Sequence, residues 1–219
     1  MRATLFLLGC LSASAVASDY AEGQSQLDDP KIAINQYFWP QLYGSGGSTL
    51  YCGKSFTKAD NTLIASPVYS TQQLKGAMRC ITDRQCTIMN PRFPYIVSDL
   101  HNYYPALSTV EQARRNAQFT DLPANAPSKF SDIGCELKAS FKQVEPRDSA
   151  KGNIARALLY MHTEYDLPLP SPLAQLKQWN EMDPPDAEER ARNDKIAAIQ
   201  GSRNRFIDNP SLVDQLADD

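Results

Sequence analysis

The chain has 219 residues, room for one good-sized domain with at most a small satellite. It is 42% hydrophobic and 21% charged, with a formal net charge of -3 and a mean hydropathy of -0.44; this excludes a collagen, a coiled coil, a wholly disordered tail and a multi-pass membrane protein. A globally basic nucleic-acid coat is excluded too, but a local basic groove is not, because binding follows the field at the site.

Met1-Arg2 supplies a positive charge, the next nine residues are almost all apolar, and small residues follow as far as Ala17. This pattern predicts a secretory signal peptide over residues 1–17, cleaved after Ala17, and a single domain over residues 18–219. The apolar run falls short of the about 20 residues that a bilayer span needs, so no membrane span is expected. The expected location is secreted or periplasmic. Four cysteines then remain: Cys52, Cys80, Cys86 and Cys135. An even number in an exported chain reads as disulfides. Three connectivities are open, and the closeness of Cys80 to Cys86 favours Cys80–Cys86 with Cys52–Cys135. Zinc is the weaker reading, since no CxxC pair occurs and His is scarce.

Residues 18–30 are polar and read as a loose leader. Residues 31–43, with Ile32, Ile34, Tyr37, Phe38 and Leu42, predict a helix that ends before Gly44-Ser45-Gly46-Gly47-Ser48. Residues 49–70 look strand-like, with Leu50-Tyr51 and Leu63-Ile64 on either side of a turn at Ala59-Asp60-Asn61. A short helix is expected over 71–80. Residues 81–98 read as irregular, with Tyr95-Ile96-Val97 as a strand, and 120–150 as loop-rich with one strand over 135–141. Apolar spacings of three and four predict helices over 152–165, 173–182 and 187–200, the last stopped by Gly201. The fold class is α+β.

Three stretches then occur in order. The first is Asp99-Leu100-His101-Asn102-Tyr103-Tyr104-Pro105-Ala106, followed by Arg114 and Asn116. The second runs from Gly152-Asn153-Ile154-Ala155-Arg156 to Tyr160-Met161. The third contains Trp179-Asn180, Glu189-Arg190, Ile199-Gln200-Gly201 and Asn204-x-Phe206. Together they span residues 95–210 and resemble the endonuclease I family of periplasmic and extracellular nucleases. The resemblance implies a ββα-metal, or His-Me finger, core with a helix-rich C-terminal part. It implies a strand His as general base for the attacking water. It also implies a Glu beside that His and a helix Asn that hold one divalent metal, Mg or Ca, and DNA or RNA as substrate.

The catalytic positions depart from that pattern. Val68-Tyr69-Ser70 and Cys80 set a register in which the Glu-His pair falls on Ser66-Pro67. Neither histidine of the chain, His101 or His162, lies in the first hundred residues. The helix Asn becomes Glu111, a carboxylate that suits Mg or Ca. The expected general acid becomes Val97. His101 is the fallback group for proton transfer, and His162 reads as core. Arg84, between the paired cysteines, matches the assisting Arg. Arg114 and Arg156 belong to the matched motifs and, with Arg84, are the expected nucleic-acid contacts. Around them Arg115, Arg147, Lys151, Arg190, Arg192 and Arg203 form a wider basic set, of which Arg190 and Arg192 are discounted first.

The reading is a secreted nuclease homologue, impaired in catalysis, that retains binding to nucleic acid or to a protein partner and acts as a monomer. One alternative is an active, sequence-nonspecific DNA or RNA endonuclease with a rearranged site at Glu111 and His101. The other is a periplasmic protein-binding scaffold.

Overall fold

A computed structural model describes residues 23–217; the expected signal peptide lies outside them. The chain begins with α1 (Pro30–Ile32), where the Asp29 carboxylate accepts from the Lys31 and Ile32 amides. The helix runs on as a π-helix, Ala33–Leu42, so the helix expected over 31–43 is present but wound more widely. Gly44 ends it. A Cβ there would lie 2.2 Å from the Pro40 carbonyl oxygen, so only glycine allows the chain to turn back so closely.

A small hairpin follows, β1 (Gly47–Ser48) and β2 (Ser55–Phe56). Leu50-Tyr51, expected as a strand, sits in the turn between them. Both side chains are buried in the main core, so their apolar character reflects burial and not strand pairing. β3 (Leu63–Pro67) and β4 (Tyr103–Leu107) pair antiparallel, with Ser66 opposite Tyr104 and Pro67 opposite Tyr103. Between them lie α2 (Thr71–Ala77), α3 (Asp83–Met89) and α4 (Phe93–Val97). Tyr95-Ile96-Val97, expected as a strand, is helical, with Pro94 in the first turn of α4. An apolar triplet is too short for its periodicity to separate helix from strand. α5 (Ser108–Arg114) follows β4 and packs against both strands.

A second sheet holds β5 (Gln118–Phe119), β6 (Ser128–Phe130), β7 (Cys135–Ser140) and β8 (Gln143–Glu145) in the order β5-β8-β7-β6. β5 runs parallel to β8, and the other pairs are antiparallel. The C-terminal part is helical, with α6 (Asp148–Tyr165), α7 (Leu173–Met182), α8 (Ala187–Gln200) and α9 (Arg205–Asp208). Gly201, in the left-handed region, ends α8 as expected. α6 runs through the core, with Ile154, Ala155, Leu158, Leu159 and Met161 fully buried. It meets the chain after α7 at Gly152, where a Cβ would fall 1.8 Å from the Asp183 carbonyl oxygen. The mixture of helix and sheet is the α+β class expected. No helix among the described residues is long and apolar enough to cross a membrane.

Both favoured disulfides are formed, Cys52–Cys135 and Cys80–Cys86. They close loops of very different length, with sequence separations of 83 and 6. Chain entropy assigns about 4.5 kcal/mol to the long loop and about 2.4 kcal/mol to the short one. Calorimetry should therefore show Cys52→Ala with Cys135→Ala lowering Tm by on the order of 10 °C, and Cys80→Ala with Cys86→Ala by roughly half as much.

Candidate active site

The last turns of the β3–β4 hairpin and the face of α5 bring four side chains together. Ser66 is fully buried at the end of β3. Glu111 and Arg114 stand three residues apart on α5, so both point at the same spot. Tyr51 reaches in from the turn between β1 and β2, which the neighbouring Cys52–Cys135 bridge ties to β7. The Ser66 hydroxyl donates to Glu111 Oε2 at 2.6 Å. Its one proton is thereby used, so the Tyr51 hydroxyl, 3.1 Å away, is the donor to Ser66 Oγ. Burial pushes the Tyr51 hydroxyl up to about 12, the nearby Arg114 opposing and Glu111 reinforcing this, so it stays protonated at neutral pH.

Arg114 closes the cluster. Its Nε donates to Glu111 Oε2 at 2.9 Å and its Nη2 to Oε1 at 3.0 Å, a two-pronged pair. The same guanidinium donates to the Pro67 carbonyl at 2.6 Å and to the Val68 carbonyl at 3.3 Å. Its side chain is fully enclosed, under the rings of Phe119 and Tyr51. Ser66 thus bonds to Glu111, the Pro67 carbonyl joins the same cluster through Arg114, and Tyr51, which sequence reasoning missed, completes it. The signal available for Tyr51 was its position beside a bridged cysteine.

The donor set does not suit a divalent metal. Both Glu111 oxygens are occupied by a fixed cation, Ser66 is neutral, and Pro67 offers only a carbonyl already bonded to Arg114. Among the described residues no three His, Cys, Asp or Glu side chains gather as a metal set would.

The remaining expected residues lie elsewhere, for identifiable reasons. His101 does not serve as a fallback base. It is buried with its ring against Tyr160, 4.6 Å between centroids, and its Nε2 lies 3.0 Å from the Ser202 carbonyl. Val97 is buried on α4, where its carbonyl accepts the Tyr103 hydroxyl at 2.7 Å. Arg156 is not a nucleic-acid contact. It is fully buried and holds Glu189 through Nε at 2.9 Å and Nη2 at 2.5 Å, with Asn180 and the Asp183 carbonyl on Nη1. Arg114 is likewise enclosed, which corrects the same expectation for it. Arg192 is buried over the Tyr104 ring, Lys151 is held by Asp121, Glu145 and Asp148, and Arg203 by Asp194 and Asp208. Arg84 stays exposed on α3. His162 lies half-buried on α6, its Nδ1 2.6 Å from the Leu167 carbonyl.

Two measurements follow from these environments. Glu111→Ala would leave the Arg114 charge buried without its counterion, a loss of about 3 kcal/mol or more in unfolding free energy, whereas replacing both residues by Leu should cost less than the single change. His101 is held down to about 4 by burial, with Arg192 and Arg203 adding to that and Asp99 opposing it. The unfolded imidazole titrates near 6.5, so between these values the unfolded chain binds a proton that the native protein refuses. Stability should therefore fall as pH drops, by about 2 kcal/mol from this group between pH 7 and pH 5. Urea unfolding of His101→Gln at the two pH values should show that part of the dependence gone.

The family model for Endonuclease I matches residues 32–211 of the chain. An extracellular deoxyribonuclease of Aeromonas hydrophila is 33% identical over 120 residues, 53% of this chain and 51% of that protein. An extracellular ribonuclease of Bacillus amyloliquefaciens is 32% identical over 142 residues, 54% of this chain and 46% of its own length. Endonuclease-1 of Buchnera aphidicola is 30% identical over 135 residues, 60% of this chain and 50% of the other. The chain spans about half the length of these relatives. Nucleases of this family typically depend on a divalent metal. The match covers most of the sequence and takes in the hairpin, α5 and the helical part alike, and the chain belongs to the endonuclease I family.

Proposed function

We propose that this chain is an exported endonuclease I homologue that binds nucleic acid and is impaired in cutting it. The observation that carries the reading is the Glu111 carboxylate closed by buried Arg114 beside Ser66 and Pro67. On this reading β3, β4 and α5 are the ββα frame of a His-Me finger nuclease whose working groups have been exchanged. Pro67 has no group that accepts a proton, and losing a general base alone costs about 10² to 10⁴ in rate. Export with cleavage after Ala17, a single domain over 18–219 and a monomer complete the reading. Relatives named for extracellular and periplasmic locations support the export.

The relatives are named for deoxyribonuclease and ribonuclease activity, and the chemistry common to both substrates is the phosphodiester backbone. With Arg114 and Arg156 enclosed, exposed cations such as Arg79, Arg84 and Arg115 are among those open to phosphates near α2, α3 and the end of α5. The Gln73 amide reaches the Asn116 carbonyl at 3.5 Å, which sets the start of α2 beside the end of α5 where Arg115 stands.

A plasmid-nicking assay with Mg²⁺, Mn²⁺ or Ca²⁺ tests the impairment: cutting should be at least about 100-fold slower than by the Aeromonas hydrophila enzyme. Comparable rates would overturn the reading. Ser66→Glu, Pro67→His and Glu111→Asn made together should restore some metal-dependent nicking, and each alone almost none, because such groups act as a unit. For binding, log K against log salt should be linear, with its slope reduced by about 1 for each of Arg84→Ala and Arg115→Ala that removes a phosphate contact. A salt-independent affinity would point to the scaffold reading.

A further inference from the structure

We propose that the Arg114 guanidinium is a built-in cation: it permanently holds the place at Glu111 that a divalent metal takes in active relatives, so this protein needs no metal and takes none there. The inference deepens the preceding section and rests on it for equating Glu111 with a metal-ligand position.

The shell around the guanidinium consists of oxygens. Both Glu111 oxygens and the carbonyls of Pro67 and Val68 accept from it, at distances between 2.6 and 3.3 Å. These oxygens come from the end of β3 and from α5, so Arg114 fastens hairpin to helix in the way an oxygen-coordinated ion would. The charge count agrees. Ser66 is neutral and Glu111 carries one negative charge, which one guanidinium cancels. A divalent ion arriving at the same carboxylate would meet a positive charge fixed about 4 Å away or less, with little water to screen it. The guanidinium has no way to yield, since it is fully enclosed under Phe119 and Tyr51. On the register of the preceding section Ser66 stands for the family's Glu and Glu111 for its Asn, so the site keeps a single carboxylate, and a monovalent cation built into the chain takes it in place of a divalent one.

Thermal unfolding, read without any activity, tests this. In the full mature protein, Tm should move by less than about 1 °C between EDTA and millimolar Mn²⁺ or Ca²⁺. Arg114→Gln frees Glu111 and should be less stable in EDTA, with Mn²⁺ restoring on the order of 5 °C in a saturable way; Arg114→Gln with Glu111→Gln should lose the response. Should Arg114→Gln not fold under either condition, Ser66→Asp decides. It adds one carboxylate but keeps Arg114, so it should show no saturable Mn²⁺ response. A wild-type Tm that rises with Mn²⁺ or Ca²⁺ and stops doing so in Glu111→Gln would overturn the inference. So would a folded Arg114→Gln that ignores the ion, or a folded Ser66→Asp that gains a saturable response to it. A metal-insensitive wild-type protein that nicks plasmid at relative-like rates would sink the impairment reading and leave this one standing.

Discussion

Among the described residues three guanidinium groups are buried, and the need to meet each of them there governs how the parts join. A charge moved out of water costs several kcal/mol unless its donors find partners. Arg156 meets Glu189, Asn180 and the Asp183 carbonyl, and so locks α6 to α7 and α8. Arg192 carries α8 to the hairpin, donating to the Leu100 carbonyl at 2.6 Å and the Tyr103 carbonyl at 2.5 Å with its face 4.0 Å from the Tyr104 ring centroid. Arg114 ties α5 to the end of β3. The close approach at Gly152 belongs to the same arrangement, since a Cβ there would also press on the Arg156 guanidinium at 2.8 Å.

Arginines in a nuclease-like sequence invite assignment to phosphate, and here burial decides otherwise. Of the three named for nucleic acid, only Arg84 reaches solvent. Arg84 and Arg115 stay exposed on α3 and at the end of α5, whereas Arg156 on α6 is turned inward.

Several motif residues that make the family recognisable make bonds away from the exchanged site, although Arg114, Tyr103 and Tyr104 meet it directly. The Asp99 carboxylate accepts from the His101 amide, the Tyr160 and Tyr165 hydroxyls and the Gln200 amide. Asn102 holds both backbone groups of Tyr69, at 2.7 and 3.0 Å. Asn204 caps α9 and also reaches the Arg156 carbonyl. None of these contacts touches Ser66 or Glu111. Much of the frame is thus held by contacts remote from the chemistry at its tip, which is the physical reason that the two can diverge in one chain.

The sequence by itself determined the α+β class and the three long C-terminal helices, favoured one of three cysteine pairings, and offered a register that sets Ser66, Pro67 and Glu111 at one place. Those features are carried by short-range signals: apolar spacing on α6, α7 and α8, the Gly201 stop, closeness of Cys80 to Cys86, and a fixed offset from Val68-Tyr69-Ser70. Tertiary structure alone decided that Leu50-Tyr51 is a buried turn and Tyr95-Ile96-Val97 a helical turn, since a few apolar residues look alike in either state until their neighbours are known. It alone decided that Arg114 and Arg156 face inward, that His101 is sealed against Tyr160, and that Tyr51 completes the cluster at Ser66. A residue's type sets the charge it carries. Whether that charge meets water, a carboxylate or a ring depends on segments far away in the chain, as with Arg156 and Glu189, and no local pattern encodes that distance.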